Sequence, residues 1–184
     1  MEQILSATAE LLRESDVDGL TMSAVAGRSG ASLPTVYRYF PDRSALLQAL
    51  AENYLTELHS ALAAGLTGLR TAEDARDAVQ AVLLGYYQAF LDDAALRQLW
   101  AGTLADETLV NLNIEDSRRN GALLADRLGP FTPLSRDLLL RRCVLASQLT
   151  LATVGFAVAL PRKEGKAFIT EFGSWAELVL FSAP

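Results

Sequence analysis

Residues 21–43 read TMSAVAGRSGASLPTVYRYFPDR, and this stretch decides the fold. Thr21 is a suitable N-cap for a short helix, and Gly30 can end that helix because glycine adopts positive φ without strain. Ser32 provides a second N-cap only two residues later, and Pro41 stops the segment that follows. Two short helices joined by a tight glycine turn predict a helix-turn-helix.

Helical periodicity continues on both sides of this stretch. Alanine and leucine recur at spacings of three and four residues, whereas runs that alternate apolar and polar residues, as strands do, are scarce. Only six prolines and twelve glycines occur among the 184 residues. We therefore predict an all-α fold of nine helices. They are expected to begin near Ile4, Thr21, Ser32, Asp42, Thr71, Leu96, Glu107, Pro133 and Glu164, the sixth of them ending near Leu104.

The fourth helix contains the predicted boundary between two domains. Residues 1–45 would form the small domain that carries the helix-turn-helix, and residues 46–184 would form a larger helical domain. A hydrophobic content of 51% is ample for a core in each part.

Composition restricts the class of function and the compartment. The net charge of −6 argues against a protein that coats nucleic acid non-specifically, since that role needs a broad basic surface. A small basic patch that binds a specific site remains compatible with this charge. Cys143 is the only cysteine, so neither an intramolecular disulfide nor a thiolate metal cage can form. We expect a cytoplasmic protein without a metal or cofactor.

Residues 21–43 resemble the DNA-binding signature of the TetR (tetracycline-repressor-like) family. The matching features are a Thr-led helix with Val25-Ala26, then Gly30, the cap Ser32, the pairs Val36-Tyr37 and Tyr39-Phe40, Arg43, and Leu46-Leu47. The signature covers about the first 55 residues, and the remainder matches in the number and length of its helices alone. The resemblance implies a nine-helix dimer in which three N-terminal helices read DNA and six form a ligand pocket and a subunit interface.

The resemblance also implies which residues contact DNA. These are Thr21, Ser23, Ser32, Leu33, Pro34, Thr35, Tyr37, Arg38, Tyr39 and Arg43. The first turn of a recognition helix enters the major groove, where Thr35 can touch a phosphate or a thymine methyl. Leu33 and Pro34 offer only apolar contacts, so readout by hydrogen bonds is expected to be sparse and DNA shape to contribute. Tyr37 and Arg43 are expected to bind phosphates.

The predicted DNA-binding domain has an acidic background. Residues 1–50 contain four arginines against six carboxylates, which leaves a net charge of −2. We therefore expect few phosphate contacts per subunit and a modest dependence of DNA affinity on salt.

A small-molecule site is implied among helices five to eight, where effector binding would shift the fourth helix. The candidate residues are Tyr54, His59, Tyr86, Tyr87, Phe90, Trp100, Asn111 and Phe156. Because this set carries few charges, we expect a largely apolar or aromatic effector. Ordinary core packing is the alternative for each residue taken singly.

The last two helices are expected to form the homodimer interface. The candidate contacts are Leu149, Val154, Phe168, Phe172 and Trp175. The segment Cys143–Leu160 has no charge over eighteen residues, which is the minimum length for a membrane span. A helix that packs on its own domain and on a partner subunit has the same composition, and we favour that interpretation.

Two other functions are open from the residues alone. An all-α enzyme would need a nucleophile joined to a base, and the single histidine, His59, and the single cysteine belong to no such motif. A membrane-associated helical protein would rest on Cys143–Leu160. Since neither alternative explains residues 21–43, we expect a regulator that binds palindromic operator DNA as a dimer. Family resemblance favours repression released by an effector, with activation left open.

Overall fold

The computed structural model describes residues 1–101 and 107–183, and within them it contains nine α-helices and no strand, as predicted. The helices are α1 (Glu2–Glu14), α2 (Met22–Ser29), α3 (Leu33–Tyr39), α4 (Arg43–Gly65), α5 (Ala72–Asp92), α6 (Ala94–Ala101), α7 (Glu107–Leu128), α8 (Arg136–Val158) and α9 (Arg162–Phe181). The predicted end of the sixth helix at Leu104 lies outside the described residues.

Side-chain caps define the ends of the short helices. The Thr21 hydroxyl accepts a hydrogen bond from the Ala24 amide at 3.1 Å, and Ser32 accepts one from the Thr35 amide at 3.3 Å. Gly30 ends α2 with a φ of 69°. These three positions confirm the local prediction of a helix-turn-helix.

The predicted start of the eighth helix at Pro133 is wrong. Ser135 is the N-cap of α8, and its hydroxyl accepts from the Leu138 amide at 3.4 Å. Thr132, which precedes Pro133 and would cap a helix that began there, donates its hydroxyl to the Leu180 carbonyl at 2.6 Å instead. Thr132 and Ser135 both have side chains that cap helices well. The hydrogen bond from Thr132 to Leu180, 48 residues further along the chain, decides between them.

The described chain divides into two compact units, and the first comprises Met1–Thr56 with Leu91–Leu112. Its core contains the fully buried side chains of Leu12, Val25 and Val36. In this unit α1 packs against α2 and α6.

The second unit comprises Glu57–Phe90 with Asn113–Pro184. Its α8 and α9 pack extensively on each other. At Gly121 on α7, an added Cβ would lie 2.7 Å from the backbone of Val144 on α8, so only glycine permits this close approach. The functional boundary between residues 45 and 46 stays a prediction, because the two units reflect packing rather than activity.

Candidate nucleic-acid interface and ligand cavity

Helix α3 turns most of its side chains away from the core. Val36 is its buried residue and anchors the helix to the first unit. On the other side, the side chains of Tyr37 and Tyr39 are 48% and 47% exposed, and Leu33 is exposed too. Two large aromatic side chains are therefore accessible to a partner on a helix of seven residues.

The hydroxyl groups at the start of α3 are engaged in capping. Ser32 Oγ and Thr35 Oγ1 lie 2.8 Å apart and form a hydrogen bond. The Thr21 hydroxyl caps α2 in the same way, whereas Ser23 and Pro34 are exposed. A hydroxyl carries one donor and two acceptor sites, so Thr35 keeps capacity for a further contact.

Two arginines of the first unit are neutralised by carboxylates. Arg28 forms ion pairs with Glu14 at 2.7 Å and Glu10 at 3.5 Å, and its hydrogen bonds lower the pKa of the Glu14 carboxyl. Arg13 forms an ion pair with Asp93 at 2.8 Å. Three carboxylates of this unit, Glu10, Glu14 and Asp93, are therefore compensated within the unit itself.

The two arginines beside α3 have a different environment. Among the described residues, neither Arg38 nor Arg43 forms an ion pair with a carboxylate. The Arg38 guanidinium lies over the ring of Tyr39, 5.3 Å from its centroid. Arg43 donates to the backbone carbonyls of Val17 at 3.1 Å and Asp18 at 3.4 Å. Uncompensated positive charge thus remains next to the exposed tyrosines.

The Asp93 carboxylate is the centre of a closed network in the first unit. Arg13 donates to both of its oxygens, at 3.0 and 2.8 Å, and the Tyr54 hydroxyl donates at 2.7 Å. The Ala95 amide adds a further bond at 2.9 Å. Partial burial alone would raise the pKa of Asp93, but these hydrogen bonds outweigh it and lower the pKa. Tyr54, a candidate for the ligand site, is held in this network.

A cavity of about 320 Å³ lies in the second unit. Helices α4, α5, α7, α8 and α9 all contribute to its wall, which is mainly aliphatic. The polar residues that line it are Tyr86, Asn113, Asp116, Ser117, Asn120, Ser147 and Thr150. Its volume is at the lower end of the range for small-molecule sites, about 300–1,000 Å³.

A hydrogen-bonded network crosses the polar side of this cavity. Asp116 accepts from Arg119 at 2.9 Å and from the Asn120 amide nitrogen at 2.6 Å. The amide oxygen of Asn120 lies 2.6 Å from Nδ1 of His59. Because an amide oxygen only accepts, this arrangement assigns the proton to Nδ1 of His59. Burial raises the pKa of Asp116 and outweighs the opposing effect of Arg119.

Two further groups on the wall are buried. Tyr86 stacks on Phe90 with ring centroids 5.2 Å apart, and burial, followed by the charge of Asp116, raises the pKa of its hydroxyl. The Ser147 hydroxyl is buried and has no hydrogen-bond partner among the described residues. A buried hydroxyl without a partner costs free energy, so this position is suited to a bound group that supplies one.

The predicted ligand residues are distributed over both units. Tyr86 lines the cavity, and His59 and Phe90 contact residues that line it. Tyr87 is buried away from the cavity wall. Tyr54, Trp100 and Asn111 belong to the first unit, and Phe156 is exposed on α8.

The sequence interpretation missed the polar stripe on α7. Asn113, Asp116, Ser117, Asn120 and Leu124 all line the cavity. Their spacing of three, one, three and four residues places them on one face of a helix. This spacing was readable in the sequence, but a polar stripe is also typical of a solvated surface.

Helices α8 and α9 carry an exposed apolar face. It consists of Leu145, Leu149, Phe156, Phe168, Trp175 and Leu178. Phe156 and Phe168 connect the two helices through an edge-to-face contact with centroids 5.1 Å apart. By length and composition alone α8 could cross a membrane, and 22% of its apolar stretch of 18 residues is buried. Of the predicted interface residues, Val154 is fully buried and lies off this face, while Phe172 lines the cavity.

Comparison with protein families gives two matches that together span most of the chain. The family described as bacterial regulatory proteins, tetR family, matches residues 4–50. The family described as tetracyclin repressor-like, C-terminal domain, matches residues 73–182. The first match contains the helix-turn-helix and the second contains most of the cavity wall.

Curated relatives match in sequence over part of their length. The tetracycline repressor protein class A from transposon 1721 of Escherichia coli is 44% identical over 57 residues, which cover 31% of this chain and 26% of the repressor. The HTH-type transcriptional regulator BetI of Cronobacter sakazakii is 28% identical over 131 residues, which cover 67% of this chain and 62% of BetI. These relatives are transcriptional regulators rather than enzymes.

Solved structures match over nearly the whole chain. A TetR-family transcriptional regulator from Streptomyces coelicolor is 26% identical with a TM-score of 0.72, and the alignment covers 97% of this chain and 94% of that one. The RolR protein in complex with resorcinol is 21% identical with a TM-score of 0.65, and the alignment covers 100% and 93%. The second of these likenesses concerns the fold alone.

Proposed function

Because this chain belongs to the TetR family of bacterial transcriptional regulators, we propose that it is a repressor that binds a palindromic operator as a homodimer and is released by a small-molecule effector. The observation that carries the proposal is the outer face of α3. There, the exposed tyrosines lie beside Arg38, which forms no ion pair with any described carboxylate, whereas Arg13 and Arg28 of the same unit are paired.

The proposed DNA contacts follow from what each side chain has available. Tyr37 and Tyr39 can donate their hydroxyls to phosphates, and Arg38 adds a charge beside them. Arg43 also supports the backbone of the loop before α2, so we assign it a structural role together with a phosphate contact. Thr35 and Leu33 would meet base edges, Thr35 through its remaining hydrogen-bonding capacity and Leu33 through a thymine methyl.

The homodimer would form through the exposed apolar face of α8 and α9. An exposed apolar surface of this size in a regulator calls for a partner, and a second copy satisfies the two-fold symmetry of a palindrome. Binding to successive major grooves would require the two recognition helices to lie about 34–36 Å apart, which is one turn of DNA. The proposal requires a soluble, cytoplasmic dimer, and a dimeric mass without detergent would exclude membrane insertion of α8.

The cavity of the second unit is the proposed effector site. Its mainly aliphatic wall supports a largely apolar or aromatic ligand. Solved relatives include a complex of RolR with resorcinol and a complex of a TetR variant of Acinetobacter baumannii with minocycline. Both ligands belong to those proteins, and they show that this fold accommodates ring-containing molecules.

Selection of bound fragments from a pool of random DNA tests the proposed function. We expect enrichment of an inverted repeat whose half-sites are one helical turn apart, bound by two chains. The variant Tyr37→Phe, which lacks only the hydroxyl, is expected to bind the selected fragment more weakly. Failure to enrich any sequence would contradict DNA-binding regulation, and enrichment of a single half-site would contradict the dimer.

A further inference from the structure

The charges on the wall of the cavity restrict the effector more sharply than its apolar content does. Asp116 is the only acidic or basic residue among those that line the cavity. An anionic ligand would therefore meet a carboxylate without a lysine or arginine on the wall to compensate it. Arg119 pairs with this carboxylate from outside the wall; a cation in the cavity would add a second opposite charge, whereas a neutral ligand would add none.

The Asp116 carboxylate has unused acceptor capacity. Each of its two oxygens receives one hydrogen bond, from Arg119 or from Asn120. An ionised carboxylate has about four acceptor sites, so about half remain vacant. The side chain is only 9% exposed, which limits the access of water to these sites. Burial raises the pKa of Asp116 and outweighs the lowering by Arg119 and Asn120.

Ser147 is a second polar group that lacks a partner. Its Oγ is buried, lines the cavity, and forms no hydrogen bond with any described residue. The Ser117 hydroxyl donates to the side-chain oxygen of Gln148 at 2.9 Å. Ser117 follows Asp116 on α7 and Gln148 follows Ser147 on α8, so this bond joins the two helices beside both residues. The carboxylate and the free hydroxyl are therefore at the same level of the wall.

An aromatic ring completes this part of the cavity. Tyr86 lies close enough to Asp116 for the carboxylate to affect its hydroxyl, and its ring is fixed by stacking on Phe90. A cation near an aromatic face gains further electrostatic stabilisation. Away from these groups the wall is mainly aliphatic and suits an apolar body.

We propose that the effector is an apolar or aromatic molecule with one protonated amine, and that Asp116 and Ser147 bind that amine. The ammonium donates one hydrogen bond to the carboxylate and one to the Ser147 oxygen, while the apolar body occupies the aliphatic part of the cavity. This inference rests on the proposed function, since it takes the cavity as the effector site.

Three probes that share one apolar body test the charge of the ligand. Isothermal titration calorimetry of the full chain measures binding of 4-phenylbutylamine, 4-phenylbutanol and 4-phenylbutanoate. We expect the amine to bind at least about tenfold more tightly than the alcohol, because hydrogen bonds between charged groups are about twice as strong as neutral ones. The carboxylate is expected to bind most weakly. Equal binding of the three probes, tighter binding of the carboxylate, or no binding of the amine at millimolar concentration would overturn the proposal.

Two variants and a matched control show which residues produce the preference for the amine. Asp116→Asn removes the charge and keeps the shape, so the amine should lose at least about tenfold in affinity while the alcohol changes little. Asp126→Asn, the same change at an exposed position of the same helix, should leave all three affinities unaltered. Ser147→Ala should weaken the amine and the alcohol alike. An amine affinity unchanged in Asp116→Asn, with thermal unfolding showing an intact fold, would overturn the role of the carboxylate.

Failure of the ligand assignment and failure of the proposed function give different results. DNA selection without any probe measures the function alone. Preferential binding of the amine without an enriched operator would contradict the regulator and support the ligand class. An enriched operator with no preference for the amine would support the regulator and contradict the ligand class.

Discussion

The two compact units each contain a partly buried aspartate, and the two carboxylates have opposite environments. Asp93 in the first unit receives donors from Arg13, Tyr54 and the Ala95 amide, and its pKa is lowered. Asp116 in the second unit receives two donors and faces a cavity, and its pKa is raised. The first network is complete within the chain, whereas the second has acceptor sites left for a ligand.

The surfaces of the two units also differ in the kind of partner that each suits. The first unit pairs Arg13 and Arg28 internally and leaves polar and aromatic groups exposed on α3. The second exposes an apolar face on α8 and α9. A polar, positively charged surface suits DNA, and an apolar one suits a second copy of the chain. The Asp93 network is complete within the first unit, whereas the second has a cavity and an apolar face that a ligand and a second copy of the chain would cover.

Disruption of the apolar face should have the largest effect. Phe168→Glu places a charge in the proposed interface, where its desolvation is costly, and should convert the dimer to a monomer. Operator affinity should then fall by about a hundredfold or more, since one half-site loses its partner. Sedimentation gives the mass and fluorescence anisotropy the affinity. Thr170→Glu adds the same charge at an exposed position of α9 and should remain dimeric. A dimeric Phe168→Glu variant would place the interface elsewhere.

Removal of an unpaired arginine should have the next largest effect. Arg38→Gln is expected to weaken operator binding by about tenfold and to reduce the slope of log affinity against log salt by about two for the dimer. Arg28→Gln changes the net charge equally, but its charge is already paired, so it should change affinity little. Anisotropy titrations over a series of salt concentrations measure both quantities. Equal losses in the two variants would mean that net charge, rather than the position beside α3, determines binding.

The two aspartates should respond differently to loss of charge. Asp93→Asn removes the acceptor that Arg13 and Tyr54 share and should lower the free energy of unfolding by about 1–2 kcal/mol. Asp116→Asn removes a poorly compensated buried charge and should leave the stability unchanged or slightly higher. Urea denaturation measures both. A larger loss in Asp116→Asn would reverse the contrast between the units.

The pH dependence of stability should separate the same two groups. The lowered pKa of Asp93 gives a contribution that is complete above its unfolded pKa, about 3.9, and is lost as the pH falls through the lower folded pKa. The raised pKa of Asp116 has the opposite effect on stability. Ionisation of Asp116 destabilises the fold above its folded pKa, and this loss of stability disappears as the pH falls through that pKa. As the pH falls from neutral, any gain in the free energy of unfolding of Asp116→Asn over the parent chain should therefore vanish first. Only at lower pH should the loss in the free energy of unfolding of Asp93→Asn begin to shrink. Urea denaturation at a series of pH values checks this order.

Local features of the fold could be predicted from the sequence, because their causes lie within a few residues. Thr21, Gly30 and Ser32 set the helix-turn-helix through caps and a positive φ, and all three act as expected. The helix expected to begin near Thr71 starts with a reciprocal cap, in which Thr71 and Asp74 each accept from the other's backbone amide at 3.0 Å.

Features that depend on distant contacts could not be predicted in the same way. Arg13 and Asp93 are 80 residues apart, and nothing local marks them as partners. Tyr54 was a reasonable ligand candidate from its type, but the fold directs its hydroxyl to Asp93. Asp116 belonged to a readable polar stripe whose meaning depends on the helices that pack around it.

The affinity of Tyr37→Ala for the selected operator tests the central claim most directly. Tyr37 is 48% exposed and contributes little to the core, so the variant should fold with an unchanged melting temperature. We predict that its operator affinity falls by at least about tenfold, with the loss of a phosphate hydrogen bond and of the ring contact. A folded Tyr37→Ala variant that binds the operator as tightly as the parent chain would contradict the assignment of α3 as the DNA-reading helix.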